Sequence, residues 1–218
     1  MRYDTVIFDL DGTLLNTLDD LAAATNYALA QMGWPTRTTE EVRAFVGNGA
    51  QLLIRRAAPT QSTQQELQQC LELFKARYQA HRMDATAPYP GVMEMLEALR
   101  KKGCKLAVCS NKFDAAVKSL AQDFFPGALD AAAGENEAAG VPKKPHPAMV
   151  LRIMEALGAL PAQTVYVGDA DTDIDTARNA GISCVSVTWG FRDRAFLLAH
   201  GAQTLINAPM ELADIVEG

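Results

Sequence analysis

The stretch that most constrains this chain is Asp4 to Leu15, DTVIFDLDGTLL. Thr5-Val6-Ile7-Phe8 is a short β-branched and aromatic run, the pattern of a strand buried on both faces as in a parallel sheet. It stops at two acids one residue apart, Asp9 and Asp11, and Gly12 follows, so the chain leaves the sheet through a turn that a residue without Cβ makes cheaply. Two carboxylates at the carboxyl edge of an apolar strand raise each other's proton affinity. Packing has no use for them, whereas a metal ion or a phosphoryl group does.

Beyond this strand the pattern becomes helical. Asn16 to Met32 carries apolar residues near helical spacing until Gly33-Trp34-Pro35 ends it. Thr38-Thr39-Glu40-Glu41 offers a capping box for a second helix, Val46 to Ala50 breaks it, another helix begins near Gln51, and the Leu67, Leu71, Phe74, Tyr78 stripe marks a helix over Ser62 to Ala80. Residues 16–86 thus read as an all-α block inserted after the first strand. Pro88-Tyr89-Pro90-Gly91 marks the boundary. Strands and helices then alternate: strands at Lys105–Cys109, Leu129–Ala133, Thr164–Val167, Cys184–Val187 and Thr204–Ile206, with helices between them and a last helix at the C-terminus. Such alternation implies an α/β fold with a doubly wound, mostly parallel sheet, a Rossmann-like core of residues 1–15 and 87–218.

Composition narrows the function. At 218 residues and 49% hydrophobic, the chain can bury a full core. No apolar run approaches the roughly 20 residues of a membrane span, and the N-terminus lacks a basic flank leading into an apolar run. Cys70, Cys104, Cys109 and Cys184 have no paired spacing, so reduced thiols and a cytoplasmic location are expected. A formal charge of −6 argues against a nucleic-acid partner, but not against a small phosphorylated metabolite. The acidic run Glu135 to Glu137 reads as a solvated surface.

In an open parallel sheet, ligands bind outside the carboxyl ends of the strands. Three apolar runs end on polar groups there: Val6-Ile7-Phe8 on Asp9, Leu106 to Cys109 on Ser110, and Val165 to Gly168 on Asp169. Asp9, Asp11, Ser110, Asn111, Asp169 and Asp173 should therefore converge. A close pair of carboxylates costs roughly 4 kcal/mol at 4 Å in a screened medium, so a cation is required. Oxygen ligands without adjacent His or Cys point to Mg2+. The candidate ligands are Asp9, Asp169 and the backbone carbonyl of Asp11, with Asp173 binding directly or orienting a metal-bound water. Val141 to Pro147 holds Lys143 and Lys144 among prolines and supplies an aimed cation for a phosphoryl group. Composition alone does not choose between the two lysines.

DLDGTL at Asp9 to Leu14, Ser110-Asn111, Lys144-Pro145-His146-Pro147 and GDADTD at Gly168 to Asp173 resemble, in order, the four motifs of the haloacid dehalogenase-like superfamily of phosphatases. The helical insert is similar in position to that superfamily's small cap. The resemblance implies Asp9 as nucleophile, Asp11 as general acid/base, Ser110, Asn111 and Lys144 as phosphate ligands, and Asp169 as a magnesium ligand with Asp173 beside it. The proline that follows selects Lys144 over Lys143. Thr17 to Leu21, Phe45 to Gly49, Ser110-Asn111-Lys112 and Val187 to Phe191 look most like the phosphoglycolate phosphatases. That likeness implies hydrolysis of a small phosphate monoester, 2-phosphoglycolate, through an aspartyl phosphate on Asp9. Thr17, Asn48, Gly49 and Arg55 are the candidate specificity residues of the cap. A sugar-phosphate phosphatase or phosphomutase on the same scaffold is the alternative. A non-enzymatic phosphate-accepting module is a further one, which would have no use for a long helical insert.

Overall fold

The computed structural model describes residues 2–136 and 140–218, in two compact units: Met1–Leu15 with Pro88–Gly218, and Asn16–Ala87. The larger unit is built on six parallel strands, β1 (Thr5–Phe8), β4 (Lys105–Phe113), β5 (Ala131–Glu135), β6 (Thr164–Gly168), β7 (Ser183–Val187) and β8 (Leu205–Ile206), in the order β5-β4-β1-β6-β7-β8. This is the doubly wound α/β sheet that the alternation of the sequence implied. β1 lies at its centre, and the succession of strands runs outward from it first on one side and then on the other.

Period-two alternation shows why the strands read as continuous apolar runs. Val6 and Phe8 of β1, Leu106 and Val108 of β4, and Val165 and Val167 of β6 point to one face. There they pack against α5 (Val92–Lys101) through Met95, Leu96 and Leu99, against α6 (Asp114–Phe124) through Val117 and Leu120, and against α10 (Glu211–Ile215) through Leu212. Ile7, Ala107, Cys109 and Tyr166 point to the other face, against Met149, Val150, Ile153 and Met154 of α7 (Ala148–Leu157) and Ala177 of α8 (Asp171–Ala180). With both faces covered, neither face of the central strands carries the solvated polar residues of a half-exposed sheet. α9 (Arg194–Ala199) lies between β7 and β8 in the sequence, its Asp193 cap accepting from the Phe196 amide.

The smaller unit holds α1 (Leu18–Gln31), α2 (Thr39–Phe45), α3 (Ala50–Ala57) and α4 (Gln64–His81). Thr38 and Glu41 form the capping box legible in the sequence, and Thr63 and Glu66 form a second one at the start of α4. Asp20, in the first turn of α1, is buried and accepts from the amides of Ala85 and Thr86 and from the Thr86 hydroxyl at 2.7–3.2 Å, so it binds the first helix to the end of the segment. Where the sequence suggested no strand, two short ones occur at the edges of this segment: β2 (Leu15–Asn16) and β3 (Ala87–Pro88), which pair with each other.

Cys70, Cys104, Cys109 and Cys184 are free thiols, and among the described residues no helix is long and apolar enough to cross a membrane. Glu135 ends β5 and is half-buried, while Glu137 of the acidic run lies outside the described residues.

Candidate active site

The site begins where β1 ends. The register aligns Phe8 with Val108 and with Val167, so the residues that follow these three strands emerge at one edge, at the point where the strand order reverses. The Asp9 amide still donates to Val167 O at 2.8 Å, and the chain then turns tightly enough for Leu10 O to accept from the amides of Thr13, Leu14 and Leu15. Gly12 sits at φ +86°, and a Cβ there would lie 2.4 Å from Asp169 Oδ2. Both the backbone and the neighbouring acid thus demand glycine.

β6 delivers the second group. Asp169 is 2% exposed, and its Oδ2 accepts from the Phe191 amide at 2.6 Å. Asp173, in the first turn of α8, is wholly buried and accepts from the Ala170 amide at 3.0 Å. Gly168 and Gly190 make room for this packing, since a Cβ on either would fall 2.3 Å from Asp173 or Asp169 respectively.

The third group comes from β4 and differs from the sequence reading. The strand was expected to end at Ser110, but it continues to Phe113. Its pairing with β5 jumps from Cys109↔Ala133 to Phe113↔Glu135, four residues against two. Ser110, Asn111 and Lys112 occupy this irregularity and are all buried. Ser110 Oγ accepts from the Lys112 amide at 3.3 Å. Asn111 was expected to bind phosphate. Its Oδ1 accepts from the Lys144 amide at 2.7 Å and its Nδ2 donates to Lys144 O at 3.1 Å, so its side chain also ties β4 to the lysine loop.

Lys144 is the lysine that turns inward, with its side chain 1% exposed. Its Nζ lies 2.7 Å from Asp173 Oδ1, 3.0 Å from Asp9 Oδ1 and 3.0 Å from the Tyr166 hydroxyl, which in turn donates to Cys109 O at 2.7 Å. Lys143 is half-buried. Residue patterning had not singled out Tyr166 or Lys112. Lys112 Nζ lies 2.9 Å from both carboxylate oxygens of Asp11, and its side chain is 5% exposed. Two further contacts also escaped it: Thr13 Oγ1 donates to Asp169 Oδ1 at 3.4 Å, and Trp189 Nε1 donates to Thr13 O at 3.0 Å.

Crowding sets the electrostatics. Burial is the largest influence on Asp9 and lifts its carboxyl to about 7. Lys144 opposes this, while Asp173 and Asp11 reinforce it. Asp169 is pushed well above the usual carboxylate range by burial, Asp173 and Asp9, against the Phe191 amide and Lys144. Burial pulls Lys144 down, but Asp173 and Asp9 outweigh it and hold the ammonium protonated. Asp9, Asp169 and Asp173 each place a carboxylate oxygen within 4.8 Å of the others. Asp9 Oδ1 is buried and takes no hydrogen bond, because Lys144 is near it but poorly aligned. An unsatisfied buried oxygen among three acids fits a hard divalent cation, and nothing in the donor set favours zinc.

The four candidate specificity residues belong to the helical unit. Thr17 is buried at the start of α1, and Gly49 starts α3 at φ +86° beside half-buried Asn48. Arg55 is exposed in the last turn of α3.

Comparison with known proteins adds a second line of evidence. Residues 6–187 match the family model described as haloacid dehalogenase-like hydrolase. A Pseudomonas putida protein named phosphoglycolate phosphatase is 38% identical over 96% of this chain and 75% of its own, and a Haemophilus influenzae protein of the same name is 37% identical over 87% and 88%. A crystal structure from Lactobacillus delbrueckii, provisionally named a phosphoglycolate phosphatase, superposes with a TM-score of 0.94 at 36% identity, covering 99% of both chains.

Proposed function

Since this chain belongs to the haloacid dehalogenase-like hydrolase family, we propose that it is a magnesium-dependent phosphatase that hydrolyses 2-phosphoglycolate through an aspartyl phosphate on Asp9. The observation that carries this reading is the buried Asp9 carboxylate, within ion-pair distance of Lys144 and grouped with Asp169 and Asp173. Relatives named phosphoglycolate phosphatase over most of their length support the choice of substrate.

Asp9, Asp169 and the Asp11 carbonyl would hold the magnesium, with Asp173 beside them. When bound, the ion supplies positive charge against the carboxylates and the substrate phosphate. The protein's residues carry the rest. An Asp9 oxygen attacks phosphorus and the ester P–O bond breaks, while Asp11, which takes up a proton as the negatively charged phosphate enters beside it, gives that proton to the departing alkoxide. Asp11, now a carboxylate, removes a proton from water. That water attacks the phosphorus of the aspartyl phosphate and restores Asp9 and inorganic phosphate. Lys144 and the Ser110 hydroxyl stabilise the equatorial oxygens, and Asn111 and Tyr166 hold the lysine in place. Residues 16–87 act as the cap, with Thr17, Asn48, Gly49 and Arg55 among its specificity elements.

The test is phosphate release from 2-phosphoglycolate and from a hexose phosphate, with and without magnesium, by wild type and Asp9→Asn. The expected result is magnesium-dependent release from 2-phosphoglycolate, no isomerised hexose phosphate, and no turnover by the variant. Metal-independent turnover or an active Asp9→Asn would overturn the mechanism.

A further inference from the structure

Lys112 stands apart from the groups assigned so far. It and Lys144 are the only two buried lysines among the described residues. Lys144 is engaged by Asp9, Asp173 and Tyr166, at the reacting phosphoryl group of the proposed reaction. Lys112 instead meets both oxygens of Asp11, the residue assigned to the leaving-group oxygen. Taking the Lys112 ammonium out of water is costly, and its attraction to a half-buried Asp11 commonly does no more than offset that cost, so stability alone is a weak reason for this pair. The strand irregularity between Cys109 and Phe113 places the lysine at the carboxyl edge, the position at which such irregularities re-aim side chains. The Asp11 side chain remains 18% exposed, so the pair borders on open space.

We propose that Lys112 is a specificity-determining residue whose ammonium receives a substrate carboxylate carried on the same carbon as the phosphate ester. This inference rests on the phosphatase reading above and deepens it. An ester oxygen taking a proton from Asp11 lies roughly 3 Å from one of its oxygens, and Lys112 Nζ is 2.9 Å from each of them. In an α-phosphorylated carboxylate, the carboxyl carbon is bonded to the carbon that bears the ester oxygen. Its oxygens therefore fall within about one further hydrogen-bond length of that point. A neutral ester of the same size offers Lys112 nothing. The preferred substrates are accordingly short phosphate monoesters with a second, adjacent negative charge.

The experiment is a two-by-two comparison of kcat/KM on magnesium-loaded wild type and Lys112→Met, with 2-phosphoglycolate and its carboxyl methyl ester. Wild type should prefer the free acid, the variant should lose on the order of 10- to 100-fold more on the acid than on the methyl ester, and most of the difference should lie in KM. Lys112→Arg should recover part of the preference. Equal losses on both compounds would assign the lysine to holding Asp11 alone and overturn the proposal, as would an unchanged preference. If Lys112→Met fails to fold, the wild-type arm still decides. A wild type that hydrolyses the acid and the methyl ester equally well refutes the carboxylate contact. A wild type that hydrolyses neither refutes the underlying reading of the substrate.

Discussion

The cost of confining Asp9 can be measured directly, without turnover, through Asp9→Asn in chelator. In the metal-free fold, burial raises the Asp9 carboxyl from 3.8 to about 7. Folded chains therefore hold a proton that unfolded chains have already released between those two values, and stability falls as pH rises through that window. At about 1.4 kcal/mol per pH unit, ionised Asp9 costs the fold on the order of 2 kcal/mol at pH 5 and on the order of 4 kcal/mol above pH 7. Asparagine is neutral throughout and avoids this cost. For a domain of this size, 1 kcal/mol moves the melting temperature by about 2 to 4 °C, so the advantage of Asp9→Asn over wild type should grow by roughly 5 to 10 °C between pH 5 and pH 8. Thermal melts in chelator across that range are the assay, and saturating magnesium should close the gap at pH 8 by stabilising wild type alone. A gap that stays constant with pH, or a variant less stable than wild type at pH 8 in chelator, would refute the view that confinement dominates at Asp9.

Because Asp9 must lose a proton before it can ligate, that ionisation should raise the apparent magnesium affinity by up to about tenfold per pH unit below 7, as read from magnesium titrations of tryptophan fluorescence. Gly190→Ala would press a methyl group to 2.3 Å from Asp169, so magnesium affinity and phosphate release should both fall, with about 1–3 kcal/mol of lost stability by chemical denaturation. Tyr166→Phe removes one partner of Lys144 while sparing the acids. It should raise KM for the phosphate ester severalfold at unchanged magnesium affinity, and a matching loss of metal binding would count against its assignment to the lysine. Asp20→Ala deprives two amides and a hydroxyl of a buried acceptor and should cost about 3 kcal/mol, seen as faster limited proteolysis within residues 16–87.

What the sequence made legible, and what it left hidden, follows from how far each side chain acts from its own place in the chain. Val6-Ile7-Phe8 and Val165-Tyr166-Val167 announce central strands because burial on both faces leaves no room for a polar residue. The Thr38 box is readable because donor and acceptor are three residues apart. Asp9, Asp169 and Asp173 could be brought together on paper because parallel strands present their carboxyl ends on one edge, so topology did the work of distance. Lys112 stood in the sequence only as part of the Ser110-Asn111-Lys112 likeness, with no role attached to it. Its partner Asp11 is 101 residues away, and in a one-dimensional reading a lysine after Ser110-Asn111 looks like the solvated end of a strand. Only the continuation of β4 to Phe113 turns it inward, and that depends on pairing with the alanine-rich β5, whose small side chains send almost no pattern into the sequence. Asp20 was hidden for a related reason. Acids in the first turn of a helix usually serve the helix dipole at the surface, and nothing local to Asp19-Asp20 reveals that one of them closes a hydrogen-bonded link to residues 65 and 66 positions later in the chain. The hidden contacts are therefore those whose partners are distant in the chain, whereas Asp9 and Asp169 sit where strand ends alone would put them.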